Sequence, residues 1–283
     1  MYGTNLDEFI RLALEEDVGD GDHTSLATIP PDAPGRARLL VKEAGILAGV
    51  QVAVRIFAQV DAELAVGVLL TDGTAIQPGD IVLTVEGRAQ SILKAERLVL
   101  NCMQRMSGIA TYTRSLVNLL DGLPTKLLDT RKTTPNFRIC EKMATVIGGA
   151  VNHRYALYDQ ILIKDNHVDY AGGIEAALTK ANDYLRATGR DLLIEIEVRN
   201  LAELDAVLQT AETQRVDRIM LDNFDLENLR EAVRRVAGRY PTEASGGITE
   251  TTLRAYAECG VDFISVGALT HRVDSLDLSL KAY

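Results

Sequence analysis

The stretch "LLIEIEV", Leu192–Val198, decides the fold. Apolar and acidic residues alternate in it with period two, so Glu195 and Glu197 share one face of a β-strand. Similar short apolar runs stand on either side: "KLLDT" (126–130), "QILIK" (160–164), "RIMLD" (218–222), "TEAS" (242–245) and "FISVG" (263–267). Helical patterns over about 173–187, 200–212, 225–238 and 249–258 alternate with them. Repeated β-then-α units predict a parallel sheet covered by helices, and this many predict a barrel or partial barrel. Polar residues gather where the strands end: Thr130–Lys132, Lys164–Asn166, Glu195, Glu197, Asp222–Asn223, Ser245–Gly247 and Gly267. Active sites of parallel α/β barrels lie at that face.

Upstream the texture differs. Asn5 is expected to cap a first helix, with Glu8 three residues later, and Leu6, Phe9, Ile10, Ala13 and Leu14 form its apolar stripe. "RARLLVKEAG" (36–45), "AELAVGVLL" (62–70) and "DIVLTVEG" (80–87) read as strands, and "VQVAVRIFAQV" (50–60) as a helix. A long helix is expected from about Ser91 to Leu120, with Gly108 as its weak point.

The chain has 283 residues, 30 Lys+Arg against 40 Asp+Glu, and a formal charge of −10. That balance argues against a general nucleic-acid or acidic-membrane binder, which needs a basic face. Cys102, Cys140 and Cys259 show no C-x-x-C spacing and read as buried small hydrophobes of a reducing compartment. The acidic, amphipathic N-terminus is unlike a signal or transit peptide, and no apolar run is long enough for a bilayer. A cytoplasmic protein is expected.

One segment opposes the acidic trend. "DTRKTTPNFR" (129–138) and "GGAVNHRYALYDQILIKDNH" (148–167) carry Arg131, Lys132, Arg138, His153, Arg154, Lys164 and His167, with Lys142 between them. Several cations together suit a small ligand with more than one anionic group, because each charge-assisted bond contributes about 1.5–3 kcal/mol. A solvated helix face is the plainer alternative. Glu195, Glu197 and Asp222 could hold ribose hydroxyls, bind Mg²⁺, or stabilise a cationic sugar transition state; an internal salt bridge to Lys132 or Lys164 is the alternative. "SGG" reads as a phosphate-binding turn or a plain tight turn. The histidines lack zinc-site spacing, "DGDH" (20–23) reads as a turn and helix cap, and no dinucleotide, P-loop or nucleophile-elbow motif appears.

Taken together, "DTRKTTP", "GGAVNHR", "LYDQILIKDNH", "IEVRNL", "LDNF", "ASGGI" and "VGALTH" resemble the motifs of the quinolinate phosphoribosyltransferase family. "EEDVGDGDHTS", "VKEAGILAGV" and "ERLVLNCMQRMSGIAT" resemble its N-terminal half. The resemblance implies an N-terminal open-faced α/β sandwich domain, 1–108, to which the tail 270–283 returns, and an incomplete TIM-like α/β barrel over 109–269. It implies a homodimer in which Arg105, otherwise read as a surface helix residue, reaches the partner's site. It implies that Arg105, Arg131, His153 and Arg154 meet the dicarboxylate of quinolinate. Thr130 joins the substrate-binding set, and Lys132 and Lys164 lie between that dicarboxylate and phosphoribosyl pyrophosphate. Glu197 and Asp222, with Glu195 beside them, face the ribose and its Mg²⁺, while Ser245, Gly246, Gly247, Gly267 and His271 line the phosphate side. Lys132, Lys164, Glu197 and Asp222 are the expected catalytic groups.

Two positions depart from the family pattern. Asn136 stands where Gly usually follows "TTP", and Ala150 replaces the third Gly of "GGG". Asn adopts positive φ readily, and Ala suffices where φ is negative. The activity implied is transfer of a phosphoribosyl group to quinolinate with loss of CO₂, giving nicotinate mononucleotide in NAD biosynthesis. The alternatives are a molybdenum-transport-associated paralogue of the same fold and a non-catalytic sugar-phosphate sensor.

Overall fold

The computed structural model describes residues 2–283. Helix α1 (Tyr2–Val18) already covers Asn5, so Asn5 is not its cap; the side chain of Asn5 lies outside those described. Asp22 does cap the short α2 (His23–Thr28), accepting from the Ser25 N–H. Strands β1 (Pro34–Val41) and β2 (Gly45–Ile46) lead to α3 (Val50–Val60), and β3 (Ala65–Val68), β4 (Ala75–Ile76) and β5 (Ile81–Arg88) follow. The 30-residue α4 (Ala89–Asn118) passes through Gly108 unbroken. A Cβ at Gly108 would sit 2.0 Å from the Asp274 carbonyl oxygen, so this glycine serves a close backbone crossing rather than a weak point.

Next come β6 (Lys126–Leu128), α5 (Arg138–Gly148), β7 (Ile161–Ile163), α6 (Asp165–Ala171) and α7 (Ile174–Thr188). After them β8 (Ile194–Val198), α8 (Leu201–Thr210), β9 (Arg218–Asp222), α9 (Leu226–Val236), β10 (Thr242–Ser245), α10 (Leu253–Ala257) and β11 (Phe263–Ser265) repeat the unit. The chain ends with α11 (Ala268–His271) and β12 (Leu278–Ala282).

The described residues divide into two compact units. The first comprises the chain up to Ser115 together with 132–149 and 268–283. Its antiparallel sheet has the order β12-β1-β5-β3, so the C-terminal strand pairs with β1. One core of this unit gathers Ile10, Leu39, Phe57, Leu83, Met103, Met106 and Ile139, each at most 3% exposed. Cys102 and Cys140, distant in sequence, meet in this core and hydrogen-bond.

The second unit comprises 116–131 and 150–267. Its parallel sheet runs β6-β11-β10-β9-β8-β7, the sequential order of a barrel with one seam between β6 and β7. Those two strands share no ladder, so the barrel is incomplete. Burial on both faces explains why β8 is buried at every position despite its acids.

Candidate active site

Strand order sets the site in the second unit. β6 through β11 are parallel, so their C-terminal ends share one rim. Thr130, Arg131, Arg154, Lys164, Glu197, Asp222, Ser245, Gly246, Gly247 and Gly267 stand on or just beyond those ends, or on the loop that enters β7. Arg131, Lys164 and Gly247 are exposed, whereas Arg154, Asp222, Ser245 and Gly246 are half-buried.

Two like charges act on each other there. Burial, then the nearby charge of Arg131, lowers the pKa of the Arg154 guanidinium. Arg154 Nη1 donates to the Gln160 carbonyl at 3.2 Å, which fixes its stem without neutralising it. An anion between these guanidiniums would relieve the repulsion.

The carboxylates divide into two groups. Glu197 takes Lys164 at 3.2 Å, so the salt bridge posed as an alternative does form. Burial still raises the Glu197 pKa, with Asp222 and Asp165 adding to the rise against the pull of Lys164. A second cation would therefore be favourable there, and hard carboxylate oxygens suit Mg²⁺. Glu195, by contrast, is fully buried and accepts from Gln160 Nε2 at 2.6 Å, with His153 Nε2 at 3.2 Å. It stands beneath the rim rather than on it, because the period-two alternation that aligns it with Glu197 also sets it one pleat deeper.

His153 is buried beside Glu195: its Nδ1 accepts from the Arg154 backbone N–H at 2.7 Å, and its Nε2 lies 3.2 Å from Glu195 Oε2. His167, counted with the basic cluster, instead caps α6: its Nδ1 accepts from the Lys164 N–H at 3.0 Å. Asp165 accepts from the Asn166 N–H.

The glycine turn after β10 has a specific cause. Gly246 has φ 95°, and a Cβ there would stand 2.2 Å from Asn223 Oδ1. Gly247, at φ 62°, faces open space, which leaves its backbone accessible to a ligand. Asn223 itself holds φ 56° and donates its N–H to the Ser245 carbonyl.

Arg105, Lys132 and His271 belong to the first unit. Arg105 is no surface residue. Its side chain is 24% exposed and donates to Glu141 Oε1 at 3.3 Å and to the carbonyls of Val273 and Thr270. Glu141 is fully buried and also accepts from the Thr134 N–H and hydroxyl. Lys132 and His271 are exposed, and the Lys132 carbonyl accepts from the Thr270 hydroxyl. Arg138 donates to the Thr133 hydroxyl, and Lys142 is wholly buried, so neither extends an exposed basic face. Asn136 takes φ 62°, as a Gly substitute requires, and Ala150 is not among the positive-φ residues.

Comparison with known proteins agrees with this architecture. The profile "Quinolinate phosphoribosyl transferase, C-terminal domain" matches residues 109–281, and its N-terminal counterpart matches 22–107. The chain belongs to the quinolinate phosphoribosyl transferase family. Quinolinate phosphoribosyltransferase [decarboxylating] 1b of Nicotiana tabacum is 45% identical, over 96% of this chain and 81% of that protein. The probable nicotinate-nucleotide pyrophosphorylase [carboxylating] of Synechocystis is 40% identical, over 98% of this chain and 92% of that one. The crystal structure of NadC from Streptococcus pyogenes superposes with a TM-score of 0.90 at 38% identity, covering 98% of this chain and 95% of the other. Sequence reading missed Glu243, Arg218 and Gln160. Glu243 carried the signal that revealed Glu195, an acid inside a short strand, but its "TEAS" context has too few apolar residues to mark it as buried.

Proposed function

We propose that this protein transfers the phosphoribosyl group of phosphoribosyl pyrophosphate to quinolinate, releasing pyrophosphate and CO₂ and giving nicotinate mononucleotide. The two cations of the rim, Arg131 and Arg154, close enough for the charge of one to act on the other, carry the reading. Two adjacent cations match two adjacent carboxylates, and a ligand with one carboxylate would leave one cation unanswered.

Arg131 and Arg154 bind the dicarboxylate and aim the ring nitrogen at the anomeric carbon; Thr130 and His153 complete that side. The nitrogen lone pair forms the new C–N bond as the bond to pyrophosphate breaks. Glu197 and Asp222 stabilise the positive charge that develops on the ribose. Lys164 offsets the charge of the leaving pyrophosphate, whose near oxygens the Ser245–Gly247 turn and Gly267 receive. Mg²⁺ arriving with the pyrophosphate supplies further charge neutralisation, and Glu197 and Asp222 are the side chains that would hold it. The product ring is then a pyridinium, so the C2 carboxylate leaves as CO₂, its electron pair stays at C2 beside the cationic nitrogen, and a proton replaces it. Holding both substrates in line supplies much of the acceleration.

We also infer a homodimer from the family resemblance. A subunit that lends Arg105 to its partner must first exchange the Glu141, Thr270 and Val273 contacts. Sedimentation tests the dimer. Mixing Arg105→Ala with Lys164→Ala tests the exchange, since a shared site regains activity in the mixed dimer. Among the described residues no helix is long and apolar enough to cross a membrane. A cytoplasmic location is proposed from the three free, buried cysteines.

The deciding experiment offers quinolinate or nicotinate with phosphoribosyl pyrophosphate and Mg²⁺ and separates products by chromatography. Nicotinate mononucleotide from quinolinate alone, with CO₂, supports the reading. No product from folded protein refutes it and favours the transport-associated paralogue or the sensor.

A further inference from the structure

Val151 extends the parallel sheet by one residue, on the edge of β6 away from β11. It bridges to Leu128: the Val151 N–H donates to the Leu127 carbonyl at 2.8 Å, and the Asp129 N–H donates to the Val151 carbonyl at 3.2 Å. In that register the next rung of a parallel ladder runs from the His153 N–H toward residue 129. The His153 N–H meets the side chain there, with Asp129 Oδ1 at 2.8 Å. A carboxylate reaches farther from its own backbone than a carbonyl does. The rung therefore holds the two segments together where the bridge has ended.

Asp129 has zero exposure, and the bond it makes is buried. Such an acceptor fixes the peptide group that it meets, because the alternative is an unpaired N–H away from water. The following N–H, that of Arg154, is met by His153 Nδ1 at 2.7 Å. Asp159 then accepts from the Tyr155 N–H at 2.6 Å and from the Ala156 N–H at 2.8 Å. Successive N–H groups from 153 to 156 thus end on side-chain acceptors, and Arg154 lies within that run.

The reaction above gives Asp129 no part. Yet it stands two residues before Arg131, and its partner His153 one residue before Arg154. The bond ties the two segments close to the points where each yields its cation. The charge of Arg131 acts on Arg154, a repulsion that drives the segments apart unless something holds them. A dicarboxylate needs its two cations at a set spacing, and a monocarboxylate does not.

We propose that Asp129 is a positioning residue that sets substrate selectivity: through the His153 N–H its buried carboxylate fixes the spacing of the Arg131 and Arg154 segments and so favours two adjacent carboxylates over one. This rests on the reading that Arg131 and Arg154 bind quinolinate. Asparagine keeps an acceptor oxygen at the same reach; leucine keeps the bulk and removes the acceptor.

The test compares wild type, Asp129→Asn and Asp129→Leu by calorimetric titration with quinolinate and with nicotinate, by KM for phosphoribosyl pyrophosphate, and by hydrogen exchange at the His153 amide. The wild-type amide is expected to exchange slowly. The Asn protein keeps that protection and binds quinolinate within about threefold of wild type. The Leu protein loses the protection and about tenfold or more of the quinolinate affinity, while nicotinate affinity and the phosphoribosyl pyrophosphate KM stay within about threefold. Should the Leu protein not fold, Asp129→Ser, whose hydroxyl stops short of the amide, takes its place with the same expected outcomes.

A merely structural role would weaken quinolinate, nicotinate and phosphoribosyl pyrophosphate alike, and equal losses overturn the proposal. Free exchange of the wild-type His153 amide overturns it without any variant. So does an Asn protein that keeps the protection and still loses quinolinate tenfold, since the charge and not the bond would then be needed. A folded wild type that binds no quinolinate refutes the reading of the site and the inference with it. Wild type that binds quinolinate, beside a variant that binds it equally after losing the amide protection, refutes the inference alone.

Discussion

Lys164 Nζ lies 3.2 Å from Glu197 Oε2, an ion pair that ties the C-terminal end of β7 to that of β8. The partners differ in exposure, 47% for the lysine and 8% for the glutamate, so the lysine head faces outward while the carboxylate stays put. The lysine can thus neutralise a departing anion and keep its neighbour ionised. Lys164→Ala is expected to lower kcat by about 10²–10³-fold, the scale of losing one preorganised electrostatic group. Circular dichroism should show an unchanged fold, because an exposed lysine contributes little stability. Steady-state kinetics check this, and a kcat within about twofold of wild type would remove Lys164 from the chemistry.

The glycine turn gives a paired prediction. Gly246→Ala meets both a positive φ and a Cβ 2.2 Å from Asn223 Oδ1, so it must displace the Asn223 turn and lower Tm. Gly247→Ala meets only the positive φ, a cost of about 1 kcal/mol. If Gly247 receives phosphate through its backbone, its alanine variant folds yet shows a raised KM for phosphoribosyl pyrophosphate. Thermal melts and KM values for both variants separate stability from binding, and an unchanged KM in Gly247→Ala would exclude that contact.

How much of this was legible in the sequence depends on range. The barrel strands other than β10 were readable because each is a short apolar run between turn signals, a local property. The acids on β8 were readable as an interior pair from period two alone. What separates Glu195 from Glu197 was not, because it depends on His153 and Gln160 arriving from another loop. Gly108 misled for the same reason: a glycine in a helix reads as weakness until the chain that crosses it, at Asp274, is known. His167 looked like part of the cation cluster, yet one hydrogen bond to the Lys164 N–H makes it a cap.

Asp61 offers a stability prediction in the first unit. Its side chain is 3% exposed and accepts from Arg88 at 2.8 Å, Ser91 at 2.7 Å and the Glu63 N–H at 3.0 Å. The Arg88 hydrogen bond, followed by those from Ser91 and Glu63, holds the carboxyl well below the usual carboxylate range. A depressed folded-state value contributes stability that is present above the unfolded pKa and lost as pH falls through the folded one. Asp61→Asn is therefore expected to cost about 2 kcal/mol at pH 7, with the difference from wild type shrinking in strong acid. Denaturant melts at both pH values check it; a penalty that does not change with pH would mean that packing, not charge, is lost.

Glu243 carries the opposite sign. Its folded-state pKa is raised, by burial first and by Glu195 second. The stability it contributes is fully present below its ordinary value of 4.5 and is lost as pH rises through the elevated folded value. Glu243→Gln removes that titration while keeping a neutral donor beside Glu195. The variant and wild type should therefore melt together near pH 4.5, and the variant should become the more stable of the two as pH rises to 9. Melting curves across that range read the difference directly. A gap that stays constant would mean that Glu243 titrates alike in the folded and unfolded chains, and a variant that loses ground as pH rises would mean that the buried carboxylate is ionised and stabilised by Arg218.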